Sequence, residues 1–101
     1  MRRKVMEAIY PCVAGLDVHQ AVIVACRRRL LDDSQVESEV AKFGATTREL
    51  QRLGAWLAEW GVRQVAMEST GVLWQPVWNV LEAQFELRLT QRAALEESAR
   101  A

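Results

Sequence analysis

The chain has 101 residues, with 13 basic and 13 acidic side chains and one histidine, so its formal net charge at pH 7 is zero. This length accommodates one small domain and excludes two. The sequence is 50% hydrophobic, which excludes a disordered chain, and no apolar stretch reaches the about 20 residues of a membrane span. The basic N-terminus lacks the apolar run and cleavage site of a signal peptide, so we expect a cytoplasmic protein.

Two features of the charge and cysteine pattern leave alternatives open. Basic triplets at 2–4 and 27–29 are compatible with nucleic-acid contacts, although solvated ends of strands and loops are the more common explanation. Cys12 and Cys26 both lie in apolar, strand-like runs, either facing each other across a hairpin or buried separately. Nothing marks the chain as secreted, so the sequence favours two buried thiols over a disulfide.

Three strands are predicted before the first helix, at 12–18, 21–26 and 36–43. The first two are nearly continuous apolar runs with β-branched residues, a composition typical of strands buried on both faces. His19-Gln20 between them is short enough for a tight hairpin, and Asp32-Asp33-Ser34 reads as a turn. The third run alternates roughly between polar and apolar residues, which predicts an edge strand with one face in water.

A helix is predicted over 46–60. Thr46 and Glu49 form a capping box, in which each side chain satisfies a free backbone N–H. Gly61 stands where a left-handed C-terminal cap is expected. One apolar stripe at three- and four-residue steps connects the two ends and consists of Leu50, Leu53, Leu57 and Trp60.

Three further elements are predicted, namely a strand over 62–67, a helix from near Trp74 to Ala83 and a strand over 85–89. Pro76 sets the start of the second helix, because proline is tolerated only in a first turn. The domain organisation follows from these elements: a basic arm over 1–11, one α/β domain over 12–90, and a tail over 91–101 that is helical by propensity.

The strongest candidate site is a pair of acids, Asp17 and Glu68, each at the end of an apolar run. Two hairpins followed by a helix crossover bring strand 62–67 parallel to the first strand. Both acids then lie at the same carboxyl edge of a mixed sheet, the edge where sites form in open sheets. Converging carboxylates hold a divalent metal for phosphodiester chemistry. The alternative is two ordinary strand-end acids, Asp17 pairing with a loop N–H or with His19 and Glu68 capping the following loop.

Other polar and aromatic residues near this edge have a functional and a structural interpretation. His19 is a ligand or, more commonly for such a position, an exposed turn residue. Ser69 and Thr70 either donate hydrogen bonds to a phosphate or cap the following helix, and capping is favoured. Trp74 and Trp78 share one helical face, where packing is favoured over base stacking.

Five separated strings occur in an order and spacing that identify a family: GLDVH, FGATTREL, WLAEWGV, VAMESTGVLWQPVWNVLE and FELRL. Together they resemble the N-terminal domain of the insertion-sequence-110 family of transposases, the RuvC-like DEDD recombinases. The resemblance covers roughly residues 12–90. It implies an RNase H-like (RuvC-like) fold with a mixed five-stranded sheet and crossover helices, in agreement with the strand order above.

The resemblance also implies an activity, a metal and partners. Family members cut and rejoin DNA with Mg²⁺ at four acids, and the first two of these acids match Asp17 and Glu68 here. Their nucleophile is a serine in a separate C-terminal domain. They are guided by a structured RNA of the element and work as oligomers. DNA, that RNA and a full-length transposase are therefore the expected partners.

The sequence departs from the family pattern after the fifth strand. No aspartate follows Asp33, the serine domain is absent, and Glu96 and Glu97 are the only acids in the tail that could replace the last pair. Gln20 stands where the family often has lysine. We therefore expect a truncated transposase with half of its acidic site, inactive alone. The alternatives are a non-catalytic module that binds element RNA or intact transposase, and a marginally stable fragment without a role.

Overall fold

The computed structural model describes residues 12–91, in which every predicted element is present and in the predicted order. The strands and helices are β1 (Cys12–His19), β2 (Val22–Leu30), β3 (Val36–Gly44), α1 (Thr47–Glu59), β4 (Gln64–Ser69), α2 (Trp74–Leu81) and β5 (Glu86–Gln91). The predicted arm over 1–11 and most of the tail, with Glu96 and Glu97, lie outside the described residues.

The five strands form one mixed sheet in the order β3-β2-β1-β4-β5. β1, β2 and β3 are joined by antiparallel hairpins, whereas β4 and β5 run parallel to β1. α1 makes the crossover from β3 to β4, and α2 makes the crossover from β4 to β5. The predicted mixed five-stranded α/β sheet of RNase H-like order is confirmed.

The two faces of the sheet differ in what covers them. The covered face carries Leu16, Val18, Ile23 and Met67, which are buried with α1 and α2 side chains in one core. We call the other side the open face; it carries Gly15, Asp17, Cys26, Ala66 and Glu68, all exposed or half-buried. The prediction that β1 and β2 are buried on both faces is therefore wrong for the described residues, because both helices lie on one side of the sheet.

The ends of α1 follow the predicted capping chemistry with one difference. Thr46 Oγ1 accepts a hydrogen bond from Glu49 N–H at 3.2 Å, but the Glu49 carboxylate accepts from Gly44 N–H at 3.2 Å instead of Thr46 N–H. At the other end Gly61 has φ +77°. Gly61 N–H donates to Ala58 O at 2.9 Å and Val62 N–H to Leu57 O at 3.2 Å, the pattern of a Schellman motif.

Glu49 provides a prediction on pH dependence. The hydrogen bond from Arg52, followed by that from Gly44 N–H, holds the pKa of Glu49 below its ordinary value of 4.5. A carboxyl with a lowered folded pKa stabilises the fold above its unfolded pKa, and this stabilisation is lost as the pH falls through the folded pKa. We expect Glu49→Gln to flatten the decline in unfolding free energy below about pH 4.5. Urea titrations at several pH values measure it, and an unchanged slope would contradict the assignment.

Several boundaries differ from prediction because ladder pairing continues past the apolar runs. β2 extends through its three arginines to Leu30. Each arginine pairs with a residue of β1 and a residue of β3, and Leu30 pairs with β3. β4 begins at Gln64 and continues through Glu68 to Ser69, since β1 and β5 pair with it on both sides. The predicted loop at Glu68 is thus strand, and α2 ends at Leu81 rather than at Ala83.

The two cysteines cannot form the cross-hairpin disulfide. Cys12 packs beside the core on the covered face, whereas Cys26 lies opposite Gly15 on the open face. Residues on opposite faces of a sheet point away from each other. The separate-thiol interpretation is therefore the one the geometry supports. Over residues 12–91, neither helix has the length and apolarity needed to traverse a bilayer.

Candidate functional site

Asp17 and Glu68 are direct neighbours on the open face. β1 and β4 are parallel, and their register pairs Asp17 with Glu68. The alternation of β1 buries Leu16 and Val18 and leaves Asp17 on the other face, with 39% of its side chain exposed. In β4 the same alternation buries Met67 and Ser69 and leaves Glu68 exposed. Neighbouring strands are about 4.8 Å apart, so the two carboxylates lie side by side, as the predicted strand directions require.

The surroundings of the two acids form a shallow depression of about 390 Å³. Its floor is low because the register partners Gly15 and Ala66 are small: glycine has no side chain and alanine has a single methyl group. A Cβ at Gly15 would meet no atom within 4 Å. Val24, Cys26 and Thr90 also line the depression. The depression therefore leaves room for a ligand to approach the carboxylates from the solvent side.

His19 contacts the acid pair through Asp17. Its Nε2 lies 3.0 Å from Asp17 Oδ1, and half of the His19 side chain is exposed. The contact is local, because residues two apart in β1 lie on the same face. At this end of β1, His19 pairs with Val22 across the hairpin, and Gln20 in the connecting loop has φ +42°. His19 is thus an exposed residue near the turn that also contacts Asp17, combining two of the predicted alternatives.

The donor set suits a hard divalent cation, although it is small. Among residues 12–91 no group of three or more histidine, cysteine or acidic side chains is placed to hold a metal. Mg²⁺ in proteins commonly takes one or two carboxylates and completes its octahedron with waters and substrate phosphates. Asp17 and Glu68 fit that role for one ion. They do not supply the further acids that a two-metal site requires.

Ser69 has neither of the roles predicted for it, and Thr70 does not cap α2. Ser69 is 2% exposed on the covered face, and its hydroxyl donates to Thr70 O at 3.3 Å. It therefore cannot reach a phosphate beside Glu68. The N-cap of α2 is Leu73, which makes no side-chain capping bond, so the favoured capping interpretation is also wrong. The helix instead begins from a turn in which Leu73 N–H donates to Thr70 O at 3.4 Å.

The arginine triplet of β2 is divided between the two faces. Arg27 is 4% exposed and lies between the rings of Trp56 and Trp60, at 4.3 and 4.2 Å from their centroids. Arg29 lies over Trp60 and donates to Glu37 at 2.7 Å. Only Arg28 is exposed on the open face. Neither the nucleic-acid nor the solvated-end interpretation holds for Arg27, because strand alternation turns it inward.

The tryptophans of α2 serve packing. Trp74 and Trp78 meet edge to face with ring centroids 5.7 Å apart, and both pack against the core. The favoured packing interpretation is confirmed. They lie on the covered side of the sheet, so they are separated from Asp17 and Glu68 by the sheet itself.

The sheet order, the crossover helices and the acids at one edge define an α/β domain of the RNase H-like class. No protein-family model matches the chain, and no curated protein matches it. Among solved structures, Archaeoglobus fulgidus Pelota matches with a TM-score of 0.60 at 15% identity, covering 98% of this chain and 34% of that one. The Aquifex aeolicus Ppx-GppA enzyme matches with a TM-score of 0.55 at 9% identity, covering 79% and 36%.

T. thermophilus RuvC in complex with a Holliday junction substrate also matches, with a TM-score of 0.47 at 16% identity, covering 86% of this chain and 70% of RuvC. A TM-score below 0.5 does not establish a shared fold. The chain spans about a third of the length of the Pelota and Ppx-GppA chains. Identities of this size show a shared fold and leave the activity to be argued from the site.

Proposed function

We propose that this chain is a RuvC-like domain of a DNA transposase of the insertion-sequence-110 type, acting on DNA in the cytoplasm. Asp17 and Glu68 are proposed as the first two acids of its Mg²⁺ site. The observation that supports this most strongly is their register pairing on the open face. It brings together the GLDVH and MESTG strings, whose acids are 51 residues apart in the sequence and which carry the resemblance.

The residues around the pair have distinct proposed roles. Asp17 and Glu68 hold the metal, which when bound activates an attacking hydroxyl and neutralises charge on a scissile phosphate. Gly15 and Ala66 keep the floor low, so that a phosphate can approach the carboxylates closely. His19 orients the Asp17 carboxylate through the 3.0 Å contact. Gln20, at the position where the family often has lysine, adds no positive charge beside them.

Three exposed cations on the open face offer phosphate contacts beside the acids. Lys42 lies level with Asp17 across the sheet, two strands away, because Lys42 pairs with Val24 and Val24 pairs with Asp17. On the other side of the acids, Arg88 of β5 pairs with Ala66, which is two residues before Glu68 on β4. Arg28, on β2, lies further along the same face. A nucleic-acid backbone laid across the acids is thus met by positive charge on both flanks.

Neutralising these cations tests DNA binding. We expect Arg88→Gln and Lys42→Gln each to weaken duplex binding and to reduce the salt slope of log K by about 1, as for the loss of one phosphate contact. Fluorescence anisotropy at several salt concentrations measures both. Arg63→Gln, exposed in the loop before β4 and away from the acids, serves as the control. Equal effects of all three variants would remove the proposed DNA path.

The chain alone is expected not to cleave DNA. Two carboxylates support one ion, and no aspartate after Asp33 is present to complete the four-acid pattern. The test is nicking of supercoiled DNA with Mg²⁺, comparing the chain with Asp17→Asn. We expect both at background. Metal-dependent nicking that disappears in Asp17→Asn would show a working site and contradict the proposed inactivity.

A second candidate is a binding module without catalysis, directed to structured RNA of the element or to full-length transposase. It is favoured by the same shortage of acids within residues 12–91. Competition distinguishes it: structured RNA should displace labelled duplex at lower concentration than unlabelled duplex does. Co-purification with an intact transposase is the separate test for the protein partner. Preference for duplex and no co-purification would remove this candidate.

A further inference from the structure

The edge strand β3 has no partner on its outer side within residues 12–91. It is nine residues long and pairs with β2 through nine consecutive register partners, from Val36 to Gly44, without a bulge. Natural edge strands are usually blunted by bulges, proline, brevity or charged side chains, because a long straight edge templates pairing with another chain. β3 is not short and has no bulge or proline, and its charged side chains are Glu37, Glu39 and Lys42.

The acids of β3 do not protect its edge in the usual way. Glu39 accepts hydrogen bonds from Arg27, and Glu37 accepts from Arg29 at 2.7 Å, so each carboxylate has a cationic partner within its own chain. These pairs also fasten β3 to β2. The edge strand is thus linked to β2 by two ion pairs as well as by its backbone ladder.

The most exposed apolar side chain of β3 lies at its centre. Val40 is 65% exposed, and it points to the open face with Val36, which is 46% exposed. In an antiparallel pair related by a two-fold axis, one residue of the strand lies opposite its own copy. Centred on Val40, this arrangement places Ser38 opposite Lys42 and Glu39 opposite Ala41. No like charges face each other, and Val40 packs against Val40 of the second copy.

Neighbouring registers are less favourable. Centring on Glu39 or on Lys42 sets a charge opposite its own copy, and centring on Ser38 sets Glu37 opposite Glu39. Centring on Ala41 places Val40 opposite the Lys42 ammonium. Like charges directly opposite are destabilising in cross-strand pairs, whereas apolar pairs are stabilising. The absence of like-charge pairs, together with the apolar pair at the centre, therefore favours the Val40-centred register.

We propose that this chain forms a homodimer by antiparallel β3–β3 pairing centred on Val40, giving one continuous ten-stranded sheet. The partner is a second copy of this chain. The two-fold axis is perpendicular to the sheet, so both open faces point the same way. From strand spacing and rise, the two Asp17 carboxylates then lie about 25 to 30 Å apart on one surface. The dimer does not depend on what the acid pair does.

The first test is the mass of the full chain in solution. Sedimentation equilibrium over about a hundredfold concentration range should show a rise from 11.5 kDa towards twice that mass. Val40→Lys places two ammonium groups opposite each other and should weaken the dimer at least about tenfold. Val72→Lys, at the 68% exposed Val72 in the loop before α2, is the matched control and should dimerise like the unaltered chain. A mass that stays at 11.5 kDa overturns the proposal.

The second test reports the register and needs no destabilising substitution. In a Cys12→Ala, Cys26→Ser background, Val40→Cys brings two thiols within disulfide range, because paired strands hold opposite Cα atoms about 4.5–5.5 Å apart. Ser38→Cys is the control, since the two Ser38 positions are then separated by about 13 Å along the strands. Oxidation should cross-link most of the first variant and less than about a tenth of the second. Equal cross-linking, or none in Val40→Cys, overturns the proposed pairing.

Discussion

Replacing Arg27 with alanine is expected to lower the free energy of unfolding by about 2–4 kcal/mol. Its guanidinium lies between two tryptophan rings, and Nη1 donates to Trp56 O at 2.6 Å and to Glu59 at 2.8 Å. Nε and Nη2 donate to Glu39. The substitution removes two cation–π contacts and leaves Trp56 O without this donor. Because Glu39 and Glu59 are more than half exposed, their charges stay hydrated and the loss is below that of a fully buried pair.

Two further variants make the Arg27 prediction specific. Arg28→Ala changes the next residue of β2 on the open face and should alter stability by no more than about 0.5 kcal/mol. Arg27→Lys keeps the charge but loses the planar fork, so we expect an intermediate value. Urea unfolding followed by tryptophan fluorescence measures all three. Equal stability of Arg27→Ala and Arg28→Ala would contradict the role assigned to the tryptophan-flanked arginine.

The second large effect is expected from Leu53→Ala. Leu53 is fully buried in the core between α1 and the covered face, and truncating a buried leucine costs about 2–5 kcal/mol. Both helices lie on one face, so residues 12–91 have a single core layer to absorb the loss. A domain of this size has about 5–15 kcal/mol in total, and the variant should therefore lose much of its cooperative transition.

The matched control for Leu53 is the same chemical change at the surface. Leu31, in the turn after β2, is 36% exposed, and Leu31→Ala should change stability by no more than about 0.5 kcal/mol. Thermal denaturation by circular dichroism compares the two. A sharp transition in the unaltered chain would also count against the marginal-fragment interpretation. A Leu53→Ala transition as sharp and as high as that of Leu31→Ala would contradict the single-core description.

The strand order and the placement of the acid pair could be predicted from the sequence because local signals fixed them. The Thr46 and Glu49 cap, the leucine stripe and Gly61 defined α1, and α1 as a crossover fixed β4 parallel to β1. From that direction alone, Asp17 and Glu68 fall at one edge, and the structure places them side by side. Their metal-binding role is not tested by this placement and stays a prediction.

The burial of Arg27 and the open face were missed for a physical reason. Continuous apolar runs indicate burial but do not say on how many sides, which depends on where the helices pack. The alternation Ile23, Ala25, Arg27 was the available signal for Arg27, since period-two spacing places all three on one face. Trp56 in α1 and Trp60 at its C-cap, four residues apart, were the matching signal for its partners. Neither was strong enough to outweigh the usual exposure of arginine.

Asp17 and Glu68 are proposed to act together as the ligands of one divalent ion. Mn²⁺ titration of the isotope-labelled chain tests it most directly, because paramagnetic broadening maps the ion onto backbone amides. We expect saturable broadening that is strongest at residues 15–18 and 66–69 and extends to their register partners on β2 and β5. Asp17→Asn and Glu68→Gln should each weaken the affinity about 10-fold or more, since even loss of a ligand's hydrogen-bond partner typically costs about 10- to 100-fold. Glu86→Gln, on β5 four residues from Thr90, should leave it unchanged. Broadening centred elsewhere, or affinity retained when both acids are replaced, would contradict the claim.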